Sequence, residues 1–454
     1  MKLSPKKEPS AVDQSELEAA ATDLCRSLQE QGHIAYWAGG AVRDRLLGIP
    51  LHDIDVATTA EPTEILSRFK KSVLVGESFG VVRVEHCDHW FEVATFRTDG
   101  VYLDGRHPER VTYSKDPKTD AKRRDFTVNA LFYDPVADKV HDFVEGRKDL
   151  ERRLIRCVGD PVQRFREDRL RLLRAIRFAA QIDFEIETET WEAILAEAPN
   201  IHEISAERIR DEILRMLVQP RPSRAIRLMS DSGLLKEILP EVEEMKGVEQ
   251  PPEFHPEGDV FVHTLLMLDL MENPSEELAL GVLFHDIGKP ETFEVADRIR
   301  FNSHDKVGAK IFGQIANRLR LSNERKETVE EMVSQHMRFG AVKKMRPAKL
   351  KRFLRREDFP LLLELHRLDC LGSHRDLDLH EFCLEKLAEL SEEQLQPEPL
   401  VTGHDLINLG YKPGPVFARI LNRVEDAQLE GKLQTKADAL AFVEERFPAR
   451  REDP

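Results

Sequence analysis

The spacing of apolar residues changes character near Leu150, and that break does most to constrain the fold. Before it, strand-like runs interleave with helical ones. The pattern predicts an amphipathic helix over 15–31, a strand over 33–38, a glycine break at Gly39-Gly40 and a short helix over 41–47. A strand over 53–58 and a hairpin from 79–85 and 90–97 follow. After Leu150 the periodicity is helical almost throughout, with Pro220, Pro222 and Pro240 as punctuation and 250–256 as the best linker. An α+β head followed by helical modules is the expected class. At 454 residues the chain exceeds one hydrophobic core and suggests about three domains.

Charge and cysteine content narrow the function. Lys+Arg 67 against Asp+Glu 83 leaves a net charge of −16, which argues against coating nucleic acid through the whole surface. One stretch departs from that average: Arg152, Arg153, Arg156, Arg164, Arg166, Arg169, Arg171, Arg174 and Arg177 form a local basic strip. The 5 cysteines are scattered without a C-x-x-C pair, so neither a disulfide framework nor a thiolate zinc site is indicated, and a reducing, cytoplasmic setting fits. The first ten residues read as a polar tail, and runs such as 278–284 fall far short of the ~20 apolar residues a membrane helix needs. No membrane partner is expected.

Gly39-Gly40 precedes Arg43 and Asp44 between a strand and a helix, where backbone N–H groups and the helix N-terminus favour a phosphate. Asp53-Ile-Asp55 follows on a strand, so alternation places both carboxylates on one side, where they could share hard divalent cations. Glu92, on the hairpin, is the candidate third carboxylate. Arg123-Arg124-Asp125-Phe-Thr-Val-Asn129-Ala adds two arginines, a carboxylate and an amide before an apolar run. Each pattern alone is common on solvated surfaces.

Together, in order, they carry more. Gly39-Gly40-x-x-Arg43-Asp44, Asp53-x-Asp55, the Arg123–Ala130 segment, Asp142-x-x-x-Gly146-x-x-Asp149-Leu150 and Glu167-Asp168-x-x-Arg171-x-x-Arg174-x-x-Arg177 resemble the class II tRNA nucleotidyltransferase and bacterial poly(A) polymerase family. The resemblance implies a small mixed-sheet, polymerase-β-like nucleotidyltransferase head over 1–150 and a helical neck over 151–250 that binds nucleotide and RNA. It implies that Asp53, Asp55 and Glu92 serve catalysis, the first two through Mg²⁺. Gly39, Gly40, Arg43, Arg124, Asp125 and Asn129 would bind the nucleotide, and Arg174 and Arg177 would neutralise phosphates.

Asp168 and Arg171, three apart on a predicted helix, would read the base. A carboxylate accepts the exocyclic amine of cytosine or adenine, and a guanidinium donates to the adjacent ring acceptor. UTP and GTP present the opposite pattern. The implied activity is addition or repair of the 3′-terminal CCA of tRNA from CTP and ATP, with RNA rather than DNA as partner. A Gly-rich, charged segment over 98–110 resembles the flexible loop of CCA-adding members. A poly(A) polymerase or A-adding specialist and a non-catalytic RNA-binding protein remain alternatives.

A second constellation lies in the helical part. His263, His285-Asp286, His304, His336 and Asp369, with Gly288-Lys289 and Gly308-Ala309, resemble an HD-superfamily metal phosphohydrolase over 251–390. Mixed imidazole and carboxylate ligands suit Mn, Fe, Ni or Zn. Hydrolysis of a phosphomonoester or 2′,3′-cyclic phosphate is the implied chemistry. His255, His366, His374 and His380 are expected to be surface residues. The tail, 391–454, resembles the tRNA-binding end of CCA-adding relatives, and oligomeric state is left open, a homo-oligomer included.

Overall fold

The computed structural model describes residues 14–75, 80–99, 111–252, 255 and 258–448. The N-terminal tail and positions 100–110 of the Gly-rich segment lie outside them. The chain divides into two compact units after Pro240, ten residues before the expected linker.

Up to residue 150 the first unit has nine short strands among the described residues: β1 (Ala35–Ala38), β2 (Asp55–Thr58), β3 (Ser72–Leu74), β4 (Val81–His86), β5 (His89–Thr95), β6 (Arg97–Asp99), β7 (Val111–Tyr113), β8 (Phe132–Asp134) and β9 (Lys139–His141). Seven form one mixed sheet in the order β3-β4-β5-β2-β1-β8-β9, while β6 and β7 pair as a separate ribbon. Alternation in β5 buries Phe91, Val93 and Thr95 and turns Glu92 outward, as period-2 strands require. The parallel register of β2 and β5 pairs Val56 with Val93, which sets Asp55 and Glu92 level on neighbouring strands. Asp53 precedes β2 instead of lying within it, so strand alternation does not set its relation to Asp55.

Beyond the sheet, helix Leu170–Gln181 buries Leu172, Leu173, Ala175, Ile176 and Ala179. Arg171, Arg174 and Arg177 follow one another at helical i+3 spacing along it. A two-stranded parallel pair, Leu154–Ile155 with Glu185–Ile186, interrupts a region expected to be helical almost throughout.

The second unit packs helices Val260–Asp269, Glu276–Phe284, His304–Arg318, Asn323–Gln335 and Phe359–Gly372. Between the second and third of these stands an antiparallel hairpin, Phe293–Val295 with Ile299–Phe301, which the helical reading passed over. The F-E-V and I-R-F alternations on either side of a short polar turn were its signal. The tail has its own core of Val401, Leu406, Ile420, Val424, Ala427, Leu433, Ala439 and Val443. No described helix is long and apolar enough to cross a membrane.

Candidate functional site

In the head, Gly39 ends β1 with φ of 71°, a conformation that favours glycine, and a Cβ there would lie 3.4 Å from Arg124 Nη1. Arg124 is fixed by its neighbours: Nε donates to Asp120 Oδ2 at 3.0 Å, Nη1 to the Asn129 carbonyl at 3.3 Å, and the guanidinium lies 4.8 Å from the Phe132 ring centre. Asp120, which sequence reasoning did not select, is buried and also receives Arg123 Nε at 2.7 Å. Its signal was the D-x-x-R-R spacing on one helix. Burial opposes ionisation of Asp120, but the charges and hydrogen bonds of Arg124 and Arg123 outweigh it and hold its pKa below the usual carboxylate range.

Asp55 reaches solvent along one side, yet the protein crowding around it, with the charges of Asp53 and Glu92, pushes its carboxyl up to about 6 against the pull of Arg124. A bound cation would offset both the burial and the repulsion. The three carboxylates do not form one of the described groups whose donor atoms all lie within 4.8 Å of one another.

Several expected ligand contacts are instead made within the protein. The Arg43 side chain is buried, donating from Nε to Asp44 at 2.8 Å and from Nη1 to Asn129 Oδ1 at 2.8 Å, so it braces the glycine turn rather than offering a free guanidinium to phosphate. Asp125 accepts from the Phe126 N–H at 2.8 Å and from Arg174 Nη2 at 2.6 Å. Arg177 pairs with buried Glu212 at 2.7 Å. Eight of the nine arginines in the basic strip form ion pairs within 4 Å, six with carboxylates of the neck and two, Arg156 and Arg174, with Asp149 and Asp125 of the head. The strip is therefore largely compensated internally.

Asp168 and Arg171 also differ from the helical expectation. Asp168 stands between helices Pro161–Glu167 and Leu170–Gln181, and its Oδ1 accepts from the Leu170 N–H at 3.1 Å. Its other oxygen takes Arg208 Nη2 at 2.7 Å, while Arg171 Nη1 donates to Glu167 Oε2 at 2.8 Å. One turn at the helix start, closed by the Arg171 N–H on the Asp168 carbonyl at 3.0 Å, separates the two, but their side chains take different partners. Glu167, part of the neck motif, and Arg208, neither of them selected as a site residue, thus orient the candidate base-reading pair.

In the second unit the histidine set converges. Two groups, His263/His285/Asp286 and Asp286/His304/His336, each hold donor atoms within 4.8 Å and share Asp286. Carbonyls can only accept, so the contacts of His285 Nδ1 with Val282 O at 2.9 Å, His304 Nδ1 with Phe301 O at 2.9 Å and His336 Nδ1 with Val333 O at 2.6 Å place the proton on Nδ1. Each Nε2 is left as a lone pair. His304 and His336 then face each other Nε2 to Nε2 at 3.2 Å, so in their neutral Nδ1–H forms they turn two lone pairs to one point, which a cation would satisfy. Burial and the charges of His304 and His285 push His336 down to about 4, favouring the neutral, ligating form.

Asp286 is buried, and its carboxyl is held well below the usual range as His285 and Lys289 overcome the cost of burial. Asp369, 27% open at its side chain, lies 3.2 Å from His263 Nε2 and is likewise held low against desolvation. These donors fit transition-metal ions. Gly288 allows the closeness: a Cβ there would meet the His304 carbonyl at 2.2 Å. Lys289, not selected from sequence, is buried with Nζ 2.6 Å from Asp286 and 2.5 Å from Gln250 Oε1. His366 is buried and stacked on Phe339 at 4.2 Å, contrary to its expected surface position, and His255 meets His263 edge-on at 4.9 Å.

Similarity to known proteins follows the same division. Residues 35–156 match the poly A polymerase head domain, 183–246 a probable RNA and SrmB-binding site of polymerase A, and 260–369 the HD domain. The CCA-adding enzyme of Pediococcus pentosaceus is 30% identical over 423 residues, covering 92% of this chain and 96% of the relative. The chain belongs to the CCA-adding enzyme family. The CCA-adding enzyme of Geobacillus thermodenitrificans is 44% identical over 214 residues, a match spanning 47% of this chain and 53% of that protein, about half the relative's length. Among solved structures, the Bacillus stearothermophilus CCA-adding enzyme in complex with CTP aligns with a TM-score of 0.73 and 26% identity, over 94% of this chain and 97% of that one. The polymerase head and HD domains matched in this chain both imply use of divalent metal ions.

Proposed function

We propose that this chain is a template-independent tRNA nucleotidyltransferase that adds or repairs the 3′-terminal CCA from CTP and ATP. The observation that carries the reading is the register that sets Asp55 level with Glu92 on neighbouring strands, with Asp53 two residues before it, where burial and the charges of Asp53 and Glu92 raise Asp55 against the pull of Arg124. An all-oxygen donor set suits Mg²⁺, which when bound supplies Lewis-acid stabilisation of the transferring phosphoryl group. Arg124, held by Asp120, presents positive charge beside the carboxylates, and Gly39 and Gly40 let backbone amides approach the triphosphate.

Base choice is assigned to Asp168 and Arg171. Asp168 would accept the exocyclic amine of cytosine or adenine, and Arg171 would donate to the neighbouring ring nitrogen. Arg208 and Glu167 restrain them, so a uracil or guanine edge meets groups that cannot turn to suit it. The proposed organisation is a head over 1–150, a neck over 151–250, an HD module over 251–390 and a tail over 391–454.

A tRNA ending at the discriminator base and an unstructured RNA, offered each NTP singly and together, test the reading. Addition of CCA followed by arrest supports it. A long A tail on both RNAs, or one A added only to a CC end, would overturn it.

The two histidine groups sharing Asp286 favour a second activity, hydrolysis of a phosphomonoester or 2′,3′-cyclic phosphate with Mn, Fe, Ni or Zn. Release of phosphate or ring opening in the presence of each metal is the measurement; no turnover with any of them would reduce this module to a scaffold.

A further inference from the structure

The hairpin Phe293–Val295/Ile299–Phe301 sits in sequence between Lys289 and His304, and it forms a wall of a cavity of about 690 Å³ that also contacts Asp286, His304, His336 and Asp369. That volume is well beyond what one phosphate group fills and lies in the range of sites that enclose nucleotide-sized ligands. The charged hairpin residues lining it are Arg298 and Arg300, both cationic. Arg298 has no ion pair among the described residues. Arg300 meets Asp297 at 2.5 Å through Nη2, yet its Nε is buried without a hydrogen-bond partner. Both guanidiniums therefore keep donor capacity beside a candidate phosphate-cleaving centre.

We infer that Arg298 and Arg300 form a binding subsite for a second phosphate, so that the histidine centre takes the 3′ end of an RNA strand. The terminal 2′,3′-cyclic phosphate lies at the centre and the preceding phosphodiester pairs with the hairpin, through geometry that favours guanidinium over a point charge. This rests on the phosphohydrolase reading of the same site. In the step itself water adds its oxygen to phosphorus, one P–O bond to the ribose breaks, and the water's proton passes to the leaving ribose oxygen; no electrons are exchanged.

The full chain with Mn²⁺ is given adenosine 2′,3′-cyclic phosphate, a dinucleotide ending in 2′,3′-cyclic phosphate and, as competitor, a nucleoside diphosphate. The expected result is a kcat/KM for the dinucleotide about ten-fold above the mononucleotide, the scale of one charged hydrogen-bonded contact. That ratio falls to near parity in Arg298→Ala/Arg300→Ala and is partly restored in Arg298→Lys/Arg300→Lys. Equal use of both substrates by the unaltered chain, a ratio untouched by the alanine pair, or stronger competition by the nucleoside diphosphate than by a dinucleotide 3′-phosphate would overturn the inference. Absence of any hydrolysis would sink the phosphohydrolase reading instead. Equilibrium binding of the dinucleotide 3′-phosphate then decides the subsite: about ten-fold weaker binding to the alanine pair supports it, and equal binding refutes it.

Discussion

Arg208 Nη2 lies 2.7 Å from Asp168 Oδ2, so a helix 40 residues downstream orients the carboxylate assigned to read the base. Loss of that partner frees Asp168 to rotate. Arg208→Ala is expected to lower CTP and ATP selection over UTP and GTP by about ten-fold, the range of one bidentate base contact. Misincorporation on a tRNA lacking its CCA end, measured for each NTP, checks it; unchanged selectivity with a uniformly slower rate would assign Arg208 a purely structural role.

Removing either of the carboxylates proposed to hold metal is predicted to abolish transfer. Asp53→Ala or Asp55→Ala should reduce incorporation by about three orders of magnitude, since the lost charge stabilisation amounts to several kcal/mol. Thermal unfolding should change little, because Asp55 carries like-charge repulsion that the substitution relieves. Near-normal incorporation by either variant would contradict the assignment.

The histidine centre makes a separate prediction. His285→Ala/Asp286→Ala removes a ligand from both groups at once through the shared Asp286, so bound transition metal should disappear on elemental analysis of purified protein. Nucleotide incorporation by the head is expected to persist. Retention of stoichiometric metal would place the ion elsewhere.

Gly288 is expected to tolerate no side chain. A Cβ would lie 2.2 Å from the His304 carbonyl and 2.6 Å from the Gly308 nitrogen, so Gly288→Ala must separate the two segments. Overpacking of this kind costs about 1–3 kcal/mol. Calorimetry should report a lower melting temperature for the second unit together with weakened metal retention.

Asp120 gives a pH dependence. Its carboxyl is held below the usual range in the folded state, so it binds fewer protons folded than unfolded. Its stabilisation is complete above the unfolded value of about 3.9 and is lost as pH falls through the lower folded value. Asp120→Asn should therefore lower the melting temperature at pH 7, with the difference shrinking toward acid. A constant difference across the acid range would assign the effect to packing.

Much of the candidate chemistry was legible because it is local or periodic. The glycine turn at Gly39, the D-x-D at Asp53 and Asp55 and the H-D at His285-Asp286 each occupy a few consecutive residues, and short-range sterics dictate what such segments can do. The helical period placed Arg171, Arg174 and Arg177 at neighbouring positions on one helix in advance. It could not reveal their partners: Glu167, Asp125 and Glu212 lie 4, 49 and 35 residues away, and the latter two meet their arginines only when separate elements pack. For that reason a strip that reads as basic along the chain is compensated in space.

Residue types and their order thus determined the class of head, the presence of a second metal-ligating module and the candidate ligands, since local geometry and donor chemistry follow from the chain itself. Tertiary structure decided which donors remain available. It withdrew Arg43 into contact with Asn129, set Arg208 against Asp168, and brought Lys289 and a β-hairpin to the histidine centre. Those outcomes depend on burial, where an unpaired charge is costly and each must find a partner, and that balance is struck only once the elements have packed.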